Sequence, residues 1–370
     1  MDEIFRFSDP YGPKMIVAVH DQKVGLKGVV VVDNVARGPA IGGTRMAPDV
    51  SVEECFRLAR AMTFKNAAAN LPHGGAKSVI VANPQMSMDE KERLFRAFAR
   101  AIKDITDYIP GPDMGTNETC MAWIKDEIGR AVGLPEADDG IPLDEIGATG
   151  LGLVAAIDVA KNYCDLDLKG ATVAIQGFGS VGLHTARFLK EKGAVLVGVC
   201  DLGGTVVDPD GLDLDRLLTL QADGKSVIEY GGKVDNKDAI IDVPCDIWVP
   251  AARPDVITKD NVERLKTRLI PQGANIPMSI EIEKQLHDQG VLILPDFIAN
   301  AGGVICGAVE YRGGTRQEAE ALIEKTISEN TRTILDTMRK DGVLPRQAAV
   351  ILARERLLDF MDASDFNRAA

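Results

Sequence analysis

The chain has 370 residues, which is too long for one typical domain, and we expect two. Its net charge is −13, and no cluster of lysine and arginine forms a nucleic-acid footprint, so the composition argues against nucleic acids and anionic membranes as partners. The six cysteines are scattered, without a CxxC pair or a histidine at metal-ligand spacing, which favours reduced thiols and predicts no metal site. The start of the chain lacks the basic and apolar regions of a signal peptide, and no apolar run approaches bilayer length, so we expect a cytoplasmic protein.

The first 131 residues are predicted to alternate strands with helices. In chain order the predicted elements are two strands joined by a turn at 15–34, a helix at 51–69, a strand at 78–82, a helix at 89–105, a short strand ending at 109 and a helix at 117–131. The helix at 51–69 is expected to begin with a capping box formed by Ser51 and Glu54. Two glycine-rich stretches are predicted to be turns or irregular, at 71–77 and at 110–115.

The second half of the chain has the pattern of a different domain. Residues 133–147 show little periodicity and predict a crossover, after which a helix begins near Thr149. Strands are then predicted at 171–175, 195–200, 245–249, 269–270 and 291–294, with helices at 184–192, 259–265 and 279–289. This alternation predicts a parallel, doubly wound sheet. The helical stretch at 315–360, broken near 342–345, is expected to return to the first domain.

A dinucleotide-binding fingerprint lies between the first two of these strands. The run Gly177-Phe178-Gly179-Ser180-Val181-Gly182 follows an apolar strand and opens a helix. Its glycines permit a tight turn, close approach of the backbone to a pyrophosphate and close helix–strand packing. Asp201 ends the next strand, where a carboxylate would bind a ribose 2′-hydroxyl and repel a 2′-phosphate. The pattern predicts a dinucleotide cofactor, with NAD favoured over NADP.

Two lysines bracket a glycine turn in the first domain. Lys65 lies late in a helix among alanines, and Lys77 lies where a loop enters an apolar strand. Lysine is almost never fully buried without a partner, so two lysines in such surroundings would need anionic partners or a depressed pKa. The alternative is that both side chains reach solvent from a helix end and a strand edge.

Several short motifs occur in a fixed order over nearly the whole chain. They are 38–46 (GPAIGGTRM), 63–67 (TFKNA), 71–77 (LPHGGAK), 111–116 (GPDMGT), 148–150 (ATG), the fingerprint 177–182, 273–275 (GAN) and 295–304 (PDFIANAGGV). Together they resemble the glutamate/leucine/phenylalanine/valine dehydrogenase superfamily.

This resemblance implies roles for individual residues. It implies that Lys65 binds the substrate α-carboxylate, that Lys77 polarises the carbonyl of a 2-oxo acid and activates water, and that Asp113 moves protons to and from the amine. Without the resemblance, Asp113 would be read as a turn residue after a proline. The other implied contacts are Ile41, Gly42, Gly43, Asn300, Val304 and Gly307 for the substrate, and Thr149, Ala274, Asn275 and Asn300 for the nicotinamide side.

Two positions bear on the choice of amino acid. In glutamate dehydrogenases the corresponding motif resembles Gly-Pro-x-Lys-Gly-Gly, and its lysine binds the side-chain carboxylate. The residue at the position of that lysine is Ile41 here. The serine expected seven residues after Asn300 is Gly307, which also leaves room for an aromatic side chain. An unpaired buried carboxylate costs on the order of several kcal/mol, so both positions indicate an apolar side chain. The pattern is mixed, because 38–46 and 74–80 are closer to leucine dehydrogenases whereas 112–118 and 208–212 are closer to glutamate dehydrogenases.

The expected activity is therefore NAD-dependent oxidative deamination of an apolar L-amino acid to its 2-oxo acid and ammonia. Three alternatives stay open: a glutamate dehydrogenase with an altered side-chain clamp, a non-catalytic NAD-binding regulator, and a 2-hydroxy acid dehydrogenase. The presence of Lys65, Lys77 and Asp113 together disfavours the regulator. The 2-hydroxy acid dehydrogenase is disfavoured because no histidine lies in an evident acid–base pair, and His73, the nearest, is expected to be structural.

The expected architecture has two α/β domains with an active-site cleft between them. Residues 1–140, completed by the C-terminal helices at about 335–370, would form a substrate-binding and oligomerisation domain with a mixed sheet. Residues 145–330 would form a Rossmann-type, doubly wound domain that binds NAD. The resemblance also implies a homo-oligomer built through the first domain.

Overall fold

The computed structural model describes residues 6–368, with side chains for 6–361. The chain divides into two compact units: unit 1 comprises Met1–Leu143, Val304–Ala319 and Val350–Ala370, and unit 2 comprises Asp144–Gly303 and Glu320–Ala349. The roles predicted for the two domains stay predictions at this point. Each unit is described on its own.

Unit 1 contains a five-stranded mixed sheet with strand order β1-β2-β4-β3-β5. Its strands are β1 (Met15–Asp21), β2 (Leu26–Asn34), β3 (Ala40–Ala47), β4 (Gly75–Val81) and β5 (Tyr108–Pro112). The hairpin β1–β2 and the pair β2–β4 are antiparallel, whereas β3 is parallel to both β4 and β5. The mixed sheet expected for the first domain is confirmed.

Three helices follow in the same part of the chain: α1 (Val52–Ala68), α2 (Met88–Ala101) and α3 (Glu118–Ile128). Asn117 caps α3 by accepting a hydrogen bond from the N–H of Cys120. The capping box predicted for α1 is only half formed. Ser51 accepts from the N–H of Glu54, but the carboxylate of Glu54 pairs with Arg45 at 2.5 Å instead of turning back to the cap.

Two stretches predicted as irregular or as turns belong to strands. The prolines of 110–115 did not prevent β5 from forming, because β5 lies at an edge of the sheet, where a missing N–H is tolerated. Residues 75–77, predicted to end a turn, begin β4. A side chain at Gly75 would collide with Thr63 of α1, so this glycine lets the helix lie directly on the strand.

The two faces of this sheet bury different layers. One face packs against α2 and α3 through Leu94, Phe95, Phe98, Met121 and Ile124. The other face packs against α1 through Val31, Val79, Cys55, Phe56 and Ala59. Because side chains alternate along a strand, Ala76 faces the first layer and Lys77 faces the second.

Unit 2 contains a seven-stranded sheet with strand order β12-β11-β10-β6-β7-β8-β9. Its strands are β6 (Thr172–Gln176), β7 (Val195–Cys200), β8 (Thr205–Val207), β9 (Lys233–Asp235), β10 (Ile247–Pro250), β11 (Leu269–Pro271) and β12 (Leu292–Leu294). The five strands from β12 to β7 are parallel, as predicted, and β8 and β9 extend the sheet with antiparallel pairing. The α/β fold class is confirmed.

The helices of unit 2 include α4 (Ala148–Ala160), α5 (Ser180–Glu191), α6 (Leu214–Ala222), α7 (Ile280–Asp288) and α8 (Asp296–Ala299). The helix predicted at 259–265 is wrong, since only a 3₁₀ turn forms at Val262–Arg264. Asn261 explains the difference: its side chain accepts from the N–H of Thr258 and donates to the carbonyl of Val256, which stabilises a local turn.

The C-terminal part of the chain forms α9 (Gly302–Tyr311), α10 (Arg316–Asp341) and α11 (Pro345–Arg368). The predicted break falls between the last two, where Gly342 has a φ of +65° and Pro345 starts the next helix. Among the described residues, none of the helices has the length and apolarity needed to cross a bilayer.

Candidate functional site

The structure brings Lys77 and Asp113 together as a buried ion pair in unit 1. Lys77 Nζ lies 2.5 Å from Asp113 Oδ2, and their side chains are only 6% and 16% exposed. The Nε of Arg45 lies 3.1 Å from the same carboxylate oxygen. Arg45 also pairs with Glu54, so the cluster has four charged residues. Sequence reasoning assigned Lys77 and Asp113 to the site and missed Arg45 and Glu54.

The register of three parallel strands creates this cluster. Ile41 pairs with Gly75 and Thr44 with Ser78, so Gly43 of β3 lies beside Lys77 of β4, while its partner on β5 is Gly111. A Cβ at Gly43 would lie 3.0 Å from Lys77 Nζ and 2.8 Å from the Cβ of Asp113. The absence of a side chain at position 43 is therefore what lets the ion pair close over the sheet.

Asp113 is held in its ionised form. Burial would raise the pKa of its carboxyl group, but the positive charges of Lys77 and Arg45 outweigh this effect and hold that pKa well below its ordinary value. The loop is fixed by Thr116, whose hydroxyl accepts from the N–H of Asp113 at 2.8 Å and contacts the Thr44 carbonyl oxygen at 3.0 Å. The cluster thus holds an ionised carboxylate in direct contact with two cations, Lys77 and Arg45.

Period-two alternation could have revealed Arg45. It follows Gly43 by two residues on β3, so it faces the same side of the sheet as Lys77 in a strand that is otherwise buried. A charged residue at such a position needs a partner, and Asp113 supplies it.

The substrate-contacting residues predicted in the first part of unit 1 lie in different places. Ile41 lies on the face that carries Lys77, one row further along the sheet, and is 3% exposed. Gly42 faces the other way, where a side chain would collide with the backbone of Ala76, so strand packing accounts for this glycine. Lys65 is buried in the last turn of α1.

Two further predicted residues lie on α9. Val304 is half-buried near the start of the helix, and Gly307 lies one turn later in a fully buried stretch. A Cβ at Gly307 would lie 3.3 Å from a methyl group of Val132. Sequence reasoning did not single out Val132.

His73, predicted to be structural, is buried and hydrogen-bonded within unit 1. Its Nδ1 lies 3.0 Å from the carbonyl oxygen of Pro39, and its ring packs edge-on against Tyr311. Burial lowers its pKa. Nothing in this environment pairs the ring with a carboxylate.

The glycine fingerprint of unit 2 has the geometry of a phosphate cradle. Gly177 has a φ of +99°, and a side chain at Gly182 would collide with the carbonyl of Gly177, so both glycines are needed for the tight turn and close packing. A Cβ at Gly179 would meet nothing within 4 Å, which leaves open space at the start of α5. A cavity of about 650 Å³ adjoins this turn and is lined by Gly177, Phe178, Gly179, Asp201 and Ala252, among others. The residues present fit a bound pyrophosphate at a helix N-terminus.

Ser180 and Val181 complete the fingerprint at the start of α5. The hydroxyl of Ser180 lies 3.1 Å from a carboxylate oxygen of Asp144. Val181 packs against the loop after β11, where a Cβ at Gly273 would lie 3.2 Å from its methyl group. Both side chains thus help to position the turn.

Asp201 reaches the same cavity but is already hydrogen-bonded. One carboxylate oxygen accepts from the N–H of Gly203 and the hydroxyl of Ser226, and the other accepts from the N–H of Val227, each at 2.8 Å. A carboxylate has about four acceptor sites, so about one remains for a ligand. The structure thus adds a loop-holding role that the sequence pattern did not indicate.

The residues predicted for the nicotinamide side lie together in unit 2. The amide of Asn300 donates to Asn275 Oδ1 at 2.9 Å and to the carbonyl of Gly273 at 3.1 Å. Ala274 lies between these two acceptors in the chain. Thr149 lies nearby on α4, its hydroxyl 3.4 Å from the position of a Cβ at Gly303.

A buried charge network, missed from the sequence, holds this group in place. Arg346 of α11 lies 2.7 Å from Glu283, 2.9 Å from Asp296 and 2.8 Å from the side-chain oxygen of Gln272. Asp296 also accepts from the N–H of Ile276 at 2.8 Å. The network therefore ties the loop after β11, which carries Asn275, to α8, which precedes Asn300.

Two family models match most of the chain. The model for the glutamate/leucine/phenylalanine/valine dehydrogenase family matches residues 140–364, and the model for the dimerisation domain of the same family matches residues 13–130.

Three curated relatives cover nearly the same part of the chain. A glutamate dehydrogenase of Aeropyrum pernix is 38% identical over 89% of this chain and 84% of its own. An NAD-specific glutamate dehydrogenase A of Halobacterium salinarum is 34% identical over 88% of this chain and 79% of its own. An NADP-specific glutamate dehydrogenase of Saccharolobus shibatae is 37% identical over 89% of this chain and 83% of its own.

Solved structures agree with this assignment. A hetero-hexameric glutamate dehydrogenase of Thermus thermophilus in a leucine-bound form has a TM-score of 0.85 and 28% identity, covering 94% of this chain and 89% of that one. An L-tryptophan dehydrogenase of Nostoc punctiforme has a TM-score of 0.72 and 26% identity, covering 97% of this chain and 99% of that one. The chain belongs to the glutamate/leucine/phenylalanine/valine dehydrogenase family of amino-acid dehydrogenases, as the sequence motifs predicted.

Proposed function

We propose that this amino-acid dehydrogenase catalyses the reversible, NAD-dependent oxidative deamination of an apolar L-amino acid to a 2-oxo acid and ammonia. The observation that carries the proposal is the sheet face of unit 1. Its first row holds the Lys77–Asp113 ion pair over Gly43, and its next row consists of Gly75, Ile41 and Ile109. A charged row for the reacting end of the substrate thus lies next to a row of buried apolar residues.

The chemistry assigned to the ion pair follows from its charges. In the reverse direction, the ammonium group of Lys77 can donate a hydrogen bond or a proton to the carbonyl oxygen of the 2-oxo acid, which becomes negative as ammonia adds to the carbonyl carbon. Asp113, held ionised, can take a proton from the substrate ammonium group or from water and return it to the departing amine. A bound nicotinamide dinucleotide supplies the hydride acceptor. Lys65, buried at the end of α1, is proposed to bind the α-carboxylate.

The substrate class rests on the apolar row. Ile41 and Ile109 are both buried, and neither can pair with a carboxylate. A glutamate side chain placed against them would lose its hydration without gaining a cation, at a cost on the order of several kcal/mol. Gly307 adds no hydroxyl that could compensate.

The second candidate is glutamate as substrate. The names of the curated relatives favour it, since the Aeropyrum, Halobacterium and Saccharolobus proteins are all glutamate dehydrogenases. It would require a cation other than residue 41 to bind the side-chain carboxylate. The Nostoc relative, a tryptophan dehydrogenase, is an example of an apolar substrate on this fold.

NAD is proposed as the cofactor because Asp201 ends β7 and lines the cavity beside the fingerprint. Its negative charge would repel a 2′-phosphate. The relatives include both NAD-specific and NADP-specific enzymes, so this part of the proposal rests on Asp201. We also propose a homo-oligomer built through unit 1, supported by the dimerisation-domain match at residues 13–130.

Replacing Lys77 tests the catalytic assignment. Lys77→Ala should lower kcat by about a hundredfold to ten-thousandfold, the usual contribution of a positioned acid or base, while NAD binding persists. Steady-state kinetics and calorimetric titration with NAD measure the two effects. Lys23→Ala, which removes an exposed lysine from a turn of the same unit, is the matched control. Turnover within about tenfold of wild type would remove Lys77 from the catalytic role.

The cofactor assignment is tested at Asp201. Asp201→Ser should lower the ratio of kcat/KM for NAD to that for NADP by at least about tenfold, because the repulsion of the 2′-phosphate is lost. Ser226→Ala is the control, since it removes one hydrogen bond to the carboxylate but keeps its charge. A wild-type enzyme that uses NADP as well as NAD would contradict the assignment.

Substrate class is tested with leucine, valine, isoleucine, phenylalanine, tryptophan and glutamate. We expect kcat/KM for glutamate to lie at least about a hundredfold below that for the best apolar substrate, by the cost of an unpaired buried charge. Ile41→Lys should raise kcat/KM for glutamate, whereas the uncharged control Ile41→Met should not. Glutamate as the preferred wild-type substrate would overturn the proposal.

A further inference from the structure

Val132, in the segment that follows α3, lies over two glycines of the site. Its side chain is only 3% exposed, and its N–H donates to the carbonyl of Pro110 at 2.8 Å. One of its methyl groups lies 3.2 Å from the position of a Cβ at Gly111 and 3.3 Å from that of a Cβ at Gly307. The valine therefore fills space that these glycines leave open.

The location of Gly111 places Val132 close to the charged cluster. Gly111 of β5 pairs with Gly43 of β3, and a Cβ at Gly43 would lie 3.0 Å from Lys77 Nζ. Strands of a sheet are about 4.8 Å apart, so Val132 stands about one strand away from the ion pair, on the same face. Val132 therefore borders the space next to Lys77 and Asp113.

A buried carboxylate holds the segment that carries Val132. Glu310, three residues after Gly307 on α9, accepts from the N–H of Leu134 at 3.3 Å and from the N–H of Ile141 at 2.8 Å. It is 7% exposed, and burial raises its pKa although the N–H donors act in the opposite direction. Both bonds go to backbone groups that follow Val132 in the chain. Glu310 therefore links the segment that carries Val132 to the helix that carries Gly307.

We propose that Val132 determines which amino-acid side chains the enzyme accepts, and that Glu310 is a positioning residue that holds Val132 against Gly307. This inference rests on the proposed function, because it assumes that the substrate side chain lies on this face. A methyl group of Val132 that lies over both glycines limits the size of a side chain that can enter. Truncating Val132 lengthens the pocket, and adding a methylene to it shortens the pocket.

The test compares kcat/KM for phenylalanine with kcat/KM for valine. Val132→Ala should raise this ratio about tenfold or more, since one or two methylenes in an apolar pocket are worth roughly 10–200-fold in discrimination. Val132→Ile adds bulk without leaving a cavity and should lower the ratio. Val30→Ala is the matched control: Val30 is fully buried in the same unit but faces the α2–α3 layer, so the ratio should stay at its wild-type value.

Glu310→Gln tests the positioning role. The two N–H groups bind different oxygens of the Glu310 carboxylate. A glutamine would place an NH2 donor against one of them, so that bond is lost and the segment should loosen. We expect the phenylalanine-to-valine ratio to move in the direction seen for Val132→Ala, mainly through KM, with kcat for the best substrate retained. In the double variant Glu310→Gln/Val132→Ala the two effects on the ratio should not add, because they act through the same side chain.

Failure of this inference and failure of the proposed function give different results. A wild-type enzyme that prefers glutamate overturns the proposed function. The pocket test then compares kcat/KM for 2-aminoadipate, which is one methylene longer, with kcat/KM for glutamate. In either case, folded Val132→Ala and Val132→Ile variants with the wild-type ratio overturn the specificity role. A Glu310→Gln variant that leaves the ratio unchanged overturns the positioning role.

Discussion

The buried ion pair between Lys77 and Asp113 is the feature of unit 1 that requires the most support from the residues around it. Removing a charged group from water costs several kcal/mol even after relaxation, so such a pair persists only with close geometry and further polar contacts. Here Arg45 adds a second cation, and Thr116 fixes the loop that carries Asp113. Strand register supplies the geometry, because β4 and β5 bring the two partners together across Gly43 of β3. Gly43 leaves the room that these charged side chains need.

The same face joins two kinds of surface that an amino-acid substrate needs. Its ionic row suits the amino and carbonyl groups that every amino acid shares, and the adjoining row of Ile41 and Ile109 suits a side chain without charge. In the proposed function, Val132 sets the size of that side chain. Reaction type and substrate preference would then depend on different rows of one sheet.

Much of this arrangement could be predicted from local patterns. The parallel sheet of unit 2, the fingerprint glycines and the capped helix α3 follow from periodicity and turn chemistry within short windows. Lys77 and Asp113 came from motif resemblance, and the structure places them in contact.

The missed features depend on contacts between distant parts of the chain. Arg346 meets Glu283 across more than sixty intervening positions, and Glu310 binds backbone groups near 134 and 141, pairings that no local pattern contains. The prolines of β5 led to a wrong prediction of irregular structure for a similar reason. A proline is tolerated in this strand because the strand lies at the edge of the sheet, which the local sequence does not show.

The measurement that tests this account most directly is a single turnover of the isosteric variant Asp113→Asn. The variant removes the negative charge and the proton acceptor but keeps the shape of the side chain. If the ion pair carries the proton transfers, calorimetry should find cofactor and amino acid binding within about tenfold of wild type, while reduced cofactor forms at least about a hundredfold more slowly. Circular dichroism on the same sample confirms that the variant is folded. A folded variant that forms reduced cofactor at the wild-type rate would contradict the central role given to this pair.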